Sequence, residues 1–117
     1  MKGEVVVVLC TAPTRDAERI ADLIVRKGLA ACVNIMGVGS IYRWEGVIQH
    51  EREELMVIKT TGELLENLTE TIGGAHPYDV PEIIALPVVG GHADYLAWVR
   101  ESVGRREGPH PDAGQRD

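Results

Sequence analysis

The chain has 117 residues, 44% of them hydrophobic and 26% charged, the size and balance of one globular domain; this excludes disordered and fibrous classes. Eighteen acidic against twelve basic residues give a net charge of -6, and the basic residues never cluster beyond Arg105–Arg106, which excludes the basic patch a nucleic-acid surface needs. Two cysteines in apolar runs make no disulfide framework, and the apolar run Val5 to Cys10 is too short for a signal peptide or membrane span, so a cytoplasmic location with no membrane partner is expected.

Val5 to Cys10 is a continuous apolar, β-branched run, as in a buried strand. After the break at Thr11 to Thr14, apolar residues recur at Ala17, Ile20, Ala21 and Ile24. That spacing predicts a helix with Thr14 as its N-cap and Gly28 as its stop. Leu29 to Val38 predicts a second strand, kinked or bulged at Gly37 and Gly39 and resuming at Ser40 to Trp44. Glu45-Gly46 is a turn signal, and Val47 to Thr60 reads as a long returning strand. Thr60-Thr-Gly-Glu63 offers a capping box before a second helix through Leu64, Leu65, Leu68 and Ile72, stopped by Gly73-Gly74. Glu82 to Val89, containing Pro87 and preceded by Pro81, predicts an edge strand. A third helix covers Ala93 to Val103, and the Gly/Pro/charge-rich remainder is expected to be a flexible tail.

The order β-α-β-β-α-β predicts an α+β, ferredoxin-like antiparallel sheet with an extra C-terminal helix and a long hairpin between strands two and three. Residues 1–103 form the single domain and 104–117 the tail. Val47 to Thr60 would reach ~46 Å at ~3.3 Å per residue, against a domain diameter of about 34 Å. The hairpin should therefore overhang its own domain. An overhanging ribbon carrying Ile41, Tyr42, Trp44, Val47 and Ile48 needs cover, and oligomerisation through strand edges supplies it.

Ala30-Ala-Cys-Val-Asn-Ile35, Ser40-Ile-Tyr-Arg-Trp-Glu-Gly46, Ile58-Lys-Thr-Thr61, His76-Pro-Tyr78, Val80-Pro-Glu82 and Leu86-Pro-Val88 resemble, in order and spacing, the CutA family of divalent-cation tolerance proteins. The likeness spans about residues 4 to 100. It implies a cytoplasmic homotrimer whose long hairpins pair across subunits, a link to copper or other divalent metal ions, no organic cofactor and no enzymatic activity. The resemblance also places Trp44, Glu53, Lys59, Tyr78 and Glu82 along the clefts between subunits.

Cys10 ends the first strand and His76 precedes the fourth, so both can lie toward one end of the sheet. Thiolate with imidazole suits copper better than Mg²⁺ or Ca²⁺. The family resemblance associates a Cys at position 10 and adjacent His residues before Pro-Tyr with copper; here Ala75 stands where a first His can occur. Glu51 and Glu53 share a strand face and read as a solvated, edge-blunting surface. No nucleophile–base pair, phosphate loop or dinucleotide-binding glycine pattern is present in the sequence. The expected function is divalent-metal (copper) tolerance. The alternative is a P-II-like trimeric signalling or scaffolding module binding a small anion in the Lys59 clefts.

Overall fold

The structure, a computed structural model, describes residues 3–104. The expected tail falls almost wholly outside the described residues. The elements run β1 (Val5–Ala12), α1 (Thr14–Arg26), β2 (Cys32–Trp44), β3 (Val47–Thr61), α2 (Leu65–Ala75), β4 (Ile83–Pro87) and α3 (Ala93–Ser102), with a short 3₁₀ turn at Gly62–Leu64 before α2. The four strands form one antiparallel sheet in the order β2-β3-β1-β4, the ferredoxin-like arrangement.

Strand register divides the side chains between two faces. Val6, Val8, Cys10 and Ala12 of β1 face the same way as Met56 and Ile58 of β3, and join Ala17, Ile20 and Ile24 of α1 and Leu68 and Ile72 of α2 in the core. α1 is buried at the four positions its period predicts. Its cap differs: Thr14 is already helical, the Pro13 carbonyl accepts from the Asp16 and Ala17 amides, and the Thr14 hydroxyl reaches Glu54 at 3.3 Å. Gly28 ends the helix at φ +75°, with Leu29 N–H donating back to the Ile24 carbonyl, a left-handed stop that glycine takes without a Cβ clash.

Three local expectations fail for identifiable reasons. β2 pairs with β3 without interruption from Cys32↔Lys59 to Trp44↔Val47, so Gly37 and Gly39 make neither kink nor bulge. The glycines are accommodated because the ladder on β3 supplies every partner. Helix α2 continues through Gly73-Gly74 to Ala75, since mid-helix glycine costs only ~1 kcal/mol. It stops because Pro77 drives His76 to an extended backbone, φ -85° and ψ 140°. The capping box is absent: the Thr60 hydroxyl donates instead to the Leu29 carbonyl at 2.7 Å, and Thr61, which takes the cap position, makes no side-chain cap bond, its hydroxyl buried without a partner among the described residues.

The hairpin is as long as its sequence demands. Glu45 and Gly46 take φ +51° and +82°, the two-residue turn whose twist matches paired strands. β1 accompanies β3 only as far as Ala12↔Glu54. Beyond that point Val47 to Glu53 pair with β2 alone, a two-stranded ribbon of about 23 Å. The molecule measures 44 × 34 × 25 Å with a radius of gyration of 15.0 Å, above the ~13 Å of a round domain this size.

On the sheet face away from α1 and α2, α3 covers one end. It packs on β1 and β3 and buries Val99. The rest of this face leaves Met36, Ile84 and Leu86 about half exposed. β4 pairs only with β1 and lies at the edge, where Pro87 withholds no ladder donor that a neighbour needs.

Candidate functional site

Where the ribbon leaves the sheet, the loop between α2 and β4 folds over it and encloses a cleft of about 780 Å³. The floor is Thr11 at the end of β1. The ribbon contributes Tyr42, Trp44, Glu51 and Glu53, and the loop contributes Tyr78, Asp79 and Glu82. Period-two alternation puts Tyr42 and Trp44 of β2 on the same face as Glu51 and Glu53 of β3.

Two phenols anchor two carboxylates. The Tyr78 hydroxyl donates to Glu53 Oε2 at 2.8 Å, and the Tyr42 hydroxyl donates to Glu51 Oε1 at 2.9 Å. Burial, then the bond to Glu53 and its charge, raises the Tyr78 phenol above its ordinary value. The bond to Glu51, then burial, raises Tyr42. Both rings are thus neutral donors at physiological pH. Glu53 is only 5% exposed. Among the described residues no Lys or Arg lines the cleft.

The structure brings Trp44, Glu53, Tyr78 and Glu82 to this one cleft but leaves Lys59 out of it. Lys59 lies six residues along β3 from Glu53, about 20 Å at strand rise, and donates to Asn34 Oδ1 and to the Val57 carbonyl at 3.2 Å. Among the described residues of a single chain, every charged side chain lining the cleft is therefore acidic. The sequence reading singles out neither Thr11 nor Asp79, and names Tyr42 only as part of the ribbon that needs cover. The signal for Tyr42 was available: a two-residue turn at Glu45-Gly46 sets the register that puts it beside Glu51.

Cys10 and His76 sit behind the cleft floor. The ladder between β1 and β4 ends at Cys10↔Ile83, and just past it the Thr11 carbonyl accepts from His76 Nε2 at 2.7 Å and from the Cys10 thiol at 3.7 Å. Sγ and Nε2 are consequently no farther apart than those two distances added. His76 Nδ1 accepts from the Tyr78 amide at 3.1 Å, which assigns the ring proton to Nε2. Its ring also packs against Tyr78, centroids 4.8 Å apart. Both ring nitrogens are engaged. Burial foremost, then the charges of Glu82 and Glu53, pushes the Cys10 thiol from 9.0 up to about 12. Among the described residues no three His, Cys, Asp or Glu side chains converge into a group that could hold a metal ion.

The Cys10 shift has a sign that can be tested. A folded-state value above the unfolded one leaves stability whole below pH 9 and removes it as pH rises toward 12. Tyr42 and Tyr78 add to the same alkaline loss at higher pH. The thermal midpoint is expected to hold level from neutrality to about pH 8.5 and then to fall. Cys10→Ala should flatten the first part of that fall; an identical profile in this variant would show that the thiol does not govern it.

A ferredoxin-like sheet that projects a two-stranded ribbon over an acidic, aromatic cleft defines a narrow structural class. The model of the family described as CutA1 divalent ion tolerance protein matches residues 6–102, and the chain belongs to that family. The chloroplastic CutA protein of Arabidopsis thaliana is 52% identical over 99 residues, 83% of this chain and 54% of its own length. The divalent-cation tolerance protein CutA of Thermus thermophilus is 47% identical over 100 residues, 84% of this chain and 97% of its own. The chain therefore spans about half of the plant relative and nearly all of the Thermus one. The solved Thermus thermophilus structure matches with a TM-score of 0.83 at 46% identity, over 86% of this chain and 99% of that one. The PII-like protein CutA from Nostoc sp. PCC 7120, in apo form, matches at 0.80 and 32% identity, over 84% and 96%. These proteins are named for tolerance or for likeness, not for a catalysed reaction.

Proposed function

We propose that this chain acts in divalent metal ion tolerance as a cytoplasmic homotrimer, without catalysing a reaction, and that it binds copper at Cys10 and His76. The single observation that supports the metal site is the approach of a thiol and an imidazole to one backbone carbonyl, 3.7 and 2.7 Å away. Sulfur and imidazole nitrogen are donors that suit copper. Metal–ligand bonds of about 2.0–2.3 Å require the two donors to close to roughly 4.5 Å. Binding therefore displaces the His76 bond to Thr11 and the thiol proton, and affinity is modest. The trimer draws its support from the half-exposed Met36, Ile84 and Leu86 on the sheet and from the ribbon that overhangs it.

The competing reading is a P-II-like module that binds a small anion, favoured by the likeness to the Nostoc protein. The carboxylate-lined cleft, with no Lys or Arg among the described residues that line it, repels an anion.

Calorimetric titration with copper at pH 6, 7 and 8 tests the site. Each copper should release the Cys10 proton, so apparent affinity should rise by up to ~tenfold per pH unit across this range. Cys10→Ser and His76→Asn should each abolish that binding. Copper binding unchanged in both variants would refute the site and move the ion to Glu51 and Glu53.

A further inference from the structure

The overhanging ribbon is two-faced. Alternation turns Tyr42, Trp44, Glu51 and Glu53 into the cleft. The opposite face continues the side of the sheet that packs on α1 and α2, and it carries Ile41, Arg43, Ile48, His50 and Arg52. Register pairs Ile41 with His50 and Arg43 with Ile48, and places Arg52 opposite Gly39; these rows span about 14 Å. Ile41 is 69% exposed and Ile48 47%. Arg43 and Arg52 are exposed, and neither makes a hydrogen bond or ion pair among the described residues.

Helix α2 presents the complement. Glu63 in the turn before it, then Glu66, Glu70 and Gly73-Gly74, recur every three or four residues and form one exposed stripe. From Glu66 to Gly74 the stripe runs about 12 Å, close to the length of the ribbon rows. None of these carboxylates has a cation partner among the described residues. The two glycines need a reason, because glycine inside a helix is destabilising relative to alanine. Beyond the helix's own backbone, a methyl group on either would meet no atom within 4 Å, so nothing in the chain needs the room. Bare backbone on an exposed helix suits close approach by another chain. The ribbon of the same chain does not make that approach: its rows lie toward the Val47 end of β3, and α2 starts beyond the Thr61 end.

Building on the homotrimer reading, we propose that the ribbon of each chain lies along α2 of its neighbour. Arg43 and Arg52 face Glu63, Glu66 and Glu70 of the partner subunit, and Ile41 and Ile48 close on the two glycines of the same helix. Ribbon on helix is a head-to-tail contact, and three of them close a ring. The isoleucines supply the apolar burial. Exposed ion pairs stabilise weakly but fix which surface meets which. The contact lies on the helical side of the sheet, separate from the face of Met36, Ile84 and Leu86.

Sedimentation velocity over a dilution series, at low and high salt, reads the concentration at which the assembly dissociates. High salt should raise that concentration several-fold. At low salt, Arg43→Glu with Arg52→Glu should raise it roughly tenfold or more, and so should Glu66→Arg with Glu70→Arg. All four substitutions together exchange the signs across the contact and should return it to within about threefold of wild type. Gly73→Leu should keep the circular dichroism of the fold and raise the concentration roughly tenfold or more. The contact is overturned if a wild-type trimer is indifferent to both charge reversals, or if the two defects add in the fourfold variant. It is overturned equally if a hexaglutamate peptide binds the wild-type trimer through Arg43 and Arg52, since the ribbon face would then be free for a foreign partner. A wild-type chain that stays monomeric at every concentration removes the homotrimer reading, and this contact with it.

Discussion

Leu86→Asp is expected to convert the proposed homotrimer into single chains, read by light scattering as a drop from three times the chain mass to one chain of 12.8 kDa. Leu86 lies on β4, on the sheet face away from α1 and α2, and is 46% exposed in the single chain. With Ile84 beside it on the same face and Met36 across the sheet, it forms apolar surface that α3 does not cover. Such surface on a sheet bounded by open edges needs a partner. A carboxylate placed there costs the isolated chain little, since water still reaches it. Buried between subunits, it would carry an unpaired charge worth several kcal/mol in each interface. The fold should therefore persist, with its circular dichroism retained, while the mass falls. Leu86→Ala should weaken assembly less, by about 1–2 kcal/mol per chain. A Leu86→Asp protein that keeps both its mass and its melting temperature would show that this face is not the interface.

His76→Ala is expected to destabilise the fold by about 3 kcal/mol, a fall of roughly 10 °C or more in melting temperature. Three losses coincide. The Thr11 carbonyl loses its donor at 2.7 Å, the Tyr78 amide loses its acceptor at 3.1 Å, and the ring packed on Tyr78 leaves a void. Each orphaned buried polar group costs ~1–3 kcal/mol, and exposure of the loop to water returns part of that. Tyr78 also presents its hydroxyl to Glu53, so the loss should spread into the cleft. His76→Asn should recover part of the stability. An Asn side-chain oxygen can still accept from the amide two residues on, but it is too short to reach Thr11. Melting curves of the two variants decide the point. A loss below 1 kcal/mol in His76→Ala, or no recovery in His76→Asn, would mean that these bonds do not hold the loop.

Much of the fold was legible because its causes are local. The β-branched run Val5 to Cys10 is a buried strand wherever it is placed, since nothing polar in it can face water. The spacing of Ala17, Ile20, Ala21 and Ile24 forms one helical stripe. Pro81 and Pro87 forbid a central strand between or around them, and Glu45-Gly46 closes a hairpin whose length follows from counting residues. Trp44, Glu53, Tyr78 and Glu82 were legible only through a family resemblance, because no local rule links residues so far apart.

Tertiary structure decided the rest, and for one physical reason: a side chain's chemistry depends on which partner the fold brings to it. Cys10 is a soft ligand on paper, but its alternate position in β1 turns it to the core, where burial keeps the thiol protonated. His76 has two nitrogens free to bind in any sequence reading. The chain brings Thr11, 65 residues away, to one of them and Tyr78 to the other. Lys59 and Glu53 share a strand face, yet six residues of strand rise keep the cation out of the cleft. Sequence by itself determined the elements, their order and the overhanging ribbon, because propensity and periodicity act between near neighbours. The acidic, aromatic character of the cleft was decided only when strand register and the loop before β4 set distant side chains face to face.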